Sequence, residues 1–173
     1  MFKRCLELVL ASEGGFTSDP RDNGNAGGKS TNLGVTQAVW EEWLGHPVSQ
    51  ADMKALTPEK VAPMYEQKYW KAASCDKLPQ GINLLVFSMA INSGCGRAVK
   101  LLQKSLGCVE DGVIGSVTLK KLKEFNLIDL VEKYSICRSD FYKSLKSFPI
   151  FGKGWLNRVE KERLEAIDLI KNN

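Results

Sequence analysis

Apolar residues recur at Phe2, Cys5, Leu6, Val9 and Leu10, the i, i+3, i+4, i+7, i+8 spacing of a helix face turned toward a core. Glu13 comes three residues after Leu10 and four after Val9, next on that stripe. A carboxyl there is partly desolvated, which disfavours its charged form and raises its pKa. The competing reading is a last-turn carboxylate that meets solvent. Gly14 and Gly15 suit a helix stop in the left-handed cap conformation. Beyond them the periodicity vanishes. Asp19-Pro20 and Asp22-Asn23-Gly24 read as consecutive turns, and Gly27-Gly28 adds freedom to a polar loop of about twenty residues, a length usually reserved for function or disorder. This loop is also the one place where strand is expected.

Thr36 is placed to cap a helix over Gln37 to Leu44, which Gly45 stops. Ser49 and Thr57-Pro58-Glu59 open two further helices, the second running to about Trp70. The segment Gly81 to Ser93 is apolar nearly all round, so protein must surround it, and its polar pair Ser88 and Asn92, four apart, must find partners. Gly94 and Gly96 interrupt, and Ala98 to Leu106 resumes the helical pattern. Asp111-Gly112 forms a turn, Ser116 is the N-cap of Val117 to Phe125, and a long helix follows from Leu127 to Leu145. Phe148-Pro149 begins an aromatic, glycine-containing loop, and the last helix runs from about Trp155 to Ile170. The expected fold is therefore mainly α, in two lobes, 1–80 and 81–173, packed as one compact unit.

Composition narrows the partners. The 173 residues are enough for one domain with a real core. A net charge of +4, with Lys and Arg scattered and no basic run interleaved with aromatics, does not point to nucleic acid. Five cysteines, odd in number and without a C-x-x-C pair, indicate reduced thiols in place of disulfides or a zinc site. No metal or cofactor is expected. No apolar run approaches the roughly 20 residues of a membrane span, and LELVLA, followed at once by Glu13, is too short for a secretory signal. The expectation is a monomer made and kept in a cytoplasm.

Six segments carry a resemblance: SEGGF, TNLGVT (Thr31 to Thr36), KYW (Lys68 to Trp70), INSGCGRAVKLLQ (Ile91 to Gln103), DGVIGSVT (Asp111 to Thr118) and FGKGWLNRV (Phe151 to Val159). In this order they resemble the N-acetylmuramidases of glycoside hydrolase family 108, phage endolysins and related bacterial proteins that end in a peptidoglycan-binding-like region. The resemblance implies a lysozyme-like helical fold and cleavage of the glycan strand between N-acetylmuramic acid and N-acetylglucosamine. It makes Glu13 the general acid. With reduced cysteines and no signal or anchor in view, a substrate outside the inner membrane leads to the expectation of a protein that waits in the host cytoplasm and reaches the periplasm and wall when a holin opens that membrane. The chain departs from the family's pattern at Ser88, where an aspartate is usual, and at Cys95, where a proline follows NSG.

Glycosidic cleavage needs an acid for the leaving oxygen and usually a second carboxylate. Asp22, nine residues beyond Glu13, stands at the spacing found in T4-type lysozymes, which this chain resembles in outline; its alternative role is an Asx-turn residue. Asp19, before Pro20, reads as a turn residue. Thr31 or Thr36 is a candidate to position a water, with helix capping the alternative for Thr36. Tyr69, Trp70 and Asn92 suit a sugar cleft, core packing being the alternative for Trp70. Three other classes remain open: a lytic transglycosylase using the same glutamate, a non-catalytic wall-binding protein, and a cysteine peptidase dependent on His46, the only histidine.

Overall fold

The computed structural model describes residues 1–19, 25 and 27–172. The chain forms two compact units, Phe2–Glu66 and, together with Met1, Gln67–Asn173.

In the first unit α1 (Phe2–Leu10) buries Cys5, Leu6, Val9 and Leu10, the stripe expected from its spacing. A two-stranded antiparallel hairpin follows within the polar loop: β1 (Thr31–Asn32) and β2 (Val35–Thr36), with Thr31 opposite Thr36 and Asn32 opposite Val35. Thr17 bridges the other edge of Thr31, and the two exchange backbone hydrogen bonds of 2.8 Å. Next come α2 (Gln37–Leu44), capped by the Thr36 hydroxyl and closed by Gly45 at φ 77°, and α3 (Gln50–Lys54), opened by a reciprocal Ser49–Asp52 capping box. The unit ends with α4 (Pro58–Tyr65), capped by Thr57, which packs on α1. Gly14 and Gly15 do not form the expected left-handed cap. Neither has positive φ, because the helix has already closed at Leu10 through the tighter bonds of Ser12 and Glu13 to Val9 and Leu10.

The helix expected to reach Trp70 does so by widening, since Glu66–Lys71 is a π-helical turn. The division between units falls at 66/67 and not at 80/81, because the intervening residues pack with the helices that follow. Trp70 sets its ring edge-on to Phe87, centroids 5.4 Å apart, and the 3₁₀ turn Cys75–Lys77 lies on α5 (Ile82–Ser93).

The second unit adds α6 (Cys95–Leu106), α7 (Ser116–Leu122), α8 (Leu127–Lys143) and α9 (Phe148–Lys171). Every residue of α5 from Ile82 to Ala90 is buried. The helix packs against α6, α8 and α9, and each fully buried Leu, Ile, Val or Phe on it contributes about 1.5–3 kcal/mol. Gly115, not Ser116, is the N-cap of α7. The Asp111 to Thr118 segment is organised from inside the fold: the buried Gln103 side chain donates to Asp111 Oδ1 (2.6 Å) and to the Val113 carbonyl (3.0 Å), and accepts from the Gly112 N–H (2.8 Å).

The aromatic loop expected from Phe148 is instead the first turns of α9. Pro149 stands in the first turn, where a missing N–H costs nothing. Gly152 is not a breaker but a clearance, since a Cβ there would come within 2.5 Å of the Phe148 ring. A second close approach joins the ends of this unit: a Cβ on Gly81 would lie 2.7 Å from the Ala166 carbonyl oxygen. Among the described residues no helix is long and apolar enough to cross a membrane.

Candidate active site

Glu13 is half-buried just beyond α1, and its side chain rests on the hairpin turn between β1 and β2. A Cβ on Gly34 would lie 3.0 Å from Glu13 Cγ, 3.1 Å from Glu13 Cδ and 3.0 Å from the Tyr65 hydroxyl oxygen. Only a residue without a side chain leaves this seat open. The backbone makes the same demand, since Leu33 (φ 51°) and Gly34 (φ 73°) are both left-handed, the signature of a type I′ turn. For Leu33 that conformation costs about 1–2 kcal/mol. Two features offset it. The Tyr65 hydroxyl, reaching back from α4, donates to the Leu33 carbonyl at 2.8 Å. The Leu33 side chain lines an apolar groove with Leu6, Leu10, Pro58 and Ala62.

The register sets Thr17, Thr31 and Thr36 side by side across the small sheet. Each hydroxyl shapes the local backbone. Thr17 accepts from the Asp19 N–H at 3.2 Å, Thr36 accepts from the Val39 N–H at 3.3 Å as the cap of α2, and Thr31 donates to the Asn25 side-chain oxygen at 2.8 Å. Thr31 keeps acceptor lone pairs for a further partner. Asn25, wholly buried, also donates to the Asp19 carbonyl (3.1 Å), and its own carbonyl accepts from the Lys29 N–H (3.1 Å). It thus ties together both ends of the segment that contains Asp22. Asp22 itself lies outside the described residues.

Other carboxylates of this unit have structural duties. The Val48 N–H and then Gln37 hold Glu41 below the ordinary carboxylate range, with Lys29 3.4 Å away. Ser49 does the same for Asp52 through its hydroxyl and N–H. Glu59 is lowered by its own backbone N–H and by Thr57. Such groups stay ionised and suit no acid role. Nor do Cys5 and Cys95 offer a ready thiolate: burial pushes Cys5 up to about 12 and raises Cys95, and His46 is exposed beside the Pro47 carbonyl. Among the described residues no group of three or more His, Cys, Asp or Glu is placed to hold a metal ion.

In the second unit Trp70 is 4% exposed and serves the core against Phe87, the packing alternative for this residue. Tyr69 is half-buried in the π turn. Asn92 is exposed at the end of α5, where it donates to the Ser88 carbonyl at 2.8 Å and accepts from Arg158. Beneath it Ser88 donates to Glu162 Oε1 at 2.6 Å, and Arg138 Nη1 donates to Glu162 Oε2 at 2.7 Å, with Arg138 and Glu162 both buried. The polar pair on α5 is thus met by Glu162 at Ser88 and by Arg158 at Asn92.

Three residues of this arrangement escape a reading of the sequence. Asn25 is hidden among turn formers. Tyr65 carries no local signal, since its partner is 32 positions away. Gly34 was findable, because a glycine at the second central position of a two-residue hairpin loop is a strong sign of positive φ.

Together these features define a lysozyme-like helical protein with a glutamate seated at the end of its first helix. The family model for glycosyl hydrolase 108 matches residues 6–94. The chain is also similar to the solved structure of Brucella abortus SagA, at 37% identity over 97% of this chain and 94% of that one, with a TM-score of 0.84. No curated protein matches. The chain belongs to glycoside hydrolase family 108, and as such it is a peptidoglycan hydrolase.

Proposed function

We propose that this protein is an N-acetylmuramidase, a lysozyme that hydrolyses the bond between N-acetylmuramic acid and N-acetylglucosamine, with Glu13 protonating the leaving oxygen. The observation that carries this reading is the seat of Glu13 on Gly34. It fixes one carboxyl at the edge of the polar loop while Glu41, Asp52 and Glu59 are held ionised in caps and loops. Asp22 is the second carboxylate of the reading, and Thr31, with acceptor capacity to spare, orients the water. Thr36 in the first unit, and Tyr69 and Asn92 in the second, are the residues that contact the glycan in this reading.

Product analysis tests the reaction. Digested sacculi are expected to yield reducing N-acetylmuramic acid ends, seen by borohydride reduction and mass spectrometry. Predominantly 1,6-anhydro ends would make the enzyme a lytic transglycosylase. An absence of fragments, with protein still bound to the wall, would make it a binding module.

The same proposal extends to biology: a monomeric phage endolysin held in the host cytoplasm until a holin admits it to the wall. Five free cysteines and an α1 committed to the core of its unit support it. Expressed alone in a Gram-negative host, the protein is expected to be harmless until a permeabilising agent is added, when the culture should clear. Spontaneous lysis on expression would defeat the holin-dependent reading.

A further inference from the structure

The Leu33–Gly34 turn carries a left-handed leucine that its own conformational preference does not support, and a tyrosine hydroxyl from another helix is bonded to it. The same hydroxyl and the Glu13 side chain crowd one point, the place of the missing Gly34 Cβ. We propose that Tyr65 is a positioning residue for Glu13. By holding the Leu33 carbonyl it keeps the turn left-handed, and the turn keeps Gly34 under the Glu13 side chain. The proposal rests on Glu13 being the acid. It gives Tyr65, 1% exposed, an effect on rate that acts through the placement of Glu13.

Tyr65→Phe removes one hydroxyl and keeps the ring. Turnover of peptidoglycan is expected to fall about tenfold or more, since ångström-scale misplacement of a catalytic group costs up to about 10²-fold, while KM for the wall is unchanged. The deciding variant adds Leu33→Asn. Asparagine followed by glycine favours the type I′ turn by itself, so Tyr65→Phe/Leu33→Asn should recover turnover. Unchanged turnover in Tyr65→Phe would overturn the proposal, as would a loss that Leu33→Asn does not restore. Should Tyr65→Phe fail to fold alone, the comparison is made in the Leu33→Asn background, where tyrosine and phenylalanine should turn over equally; a difference there overturns it too. Failure of the underlying reading shows separately, as retained activity in Glu13→Gln.

Discussion

Glu13→Gln is expected to abolish lysis of peptidoglycan and leave the protein folded. The amide matches the carboxyl in shape, so the contacts with Gly34 survive. What it lacks is the acidic proton, and general-acid help alone is worth about 10²–10⁴ in rate. The measurement is turbidity loss of sacculi by purified protein, with circular dichroism and thermal unfolding as controls for folding. Substantial lysis by a folded Glu13→Gln protein would end the mechanism proposed above.

The largest effect on stability is expected in the helical unit, at Glu162→Ala. Glu162 and Arg138 are 2% and 0% exposed in side-chain terms and meet at 2.7 Å. Removing the carboxylate leaves a buried guanidinium whose Nε and Nη2 already lack hydrogen-bond partners, and strips Ser88 of its acceptor. Breaking one side of a buried pair costs about 3–5 kcal/mol. At about 2–4 °C per kcal/mol for a chain of this size, the melting temperature should fall on the order of 10 °C. Replacing both partners, Glu162→Met with Arg138→Met, should recover most of the loss, because no charge is then stranded. A single variant within about 1 kcal/mol of the parent would show that water already solvates Arg138.

Much of this architecture is legible in the residues. The stripe of α1 and the all-round apolarity of α5 are statements about burial, and burial decided both helices. The seat of Glu13 is only half legible. Its place beyond Val9 and Leu10 follows from helical spacing, but its partner Gly34 arrives from a hairpin, and Tyr65 from a helix after that. Local pattern cannot join them. Gly14 and Gly15 misled for a different reason: a glycine pair permits a left-handed cap, and here the helix closed before reaching it. Phe148 to Gly154 has the composition of a loop, because two glycines and a proline usually break helices. In fact the proline falls in the first turn, and Gly152 makes room for an aromatic ring.

The clearance at Gly81 bears on how the protein is made. The last turns of α9 close over the N-terminal end of α5 through Ala166 and Ile170, and α5 is also covered by α8. On the ribosome, therefore, α6 follows α5 at once and covers part of it, while the rest of its apolar circumference waits for α8 and then, some eighty residues on, for the last turns of α9. Throughout that interval it is an adhesive surface, the kind of transient exposure that makes nascent chains aggregate. Synthesis thus leaves part of α5 open until α8 and α9 have been made.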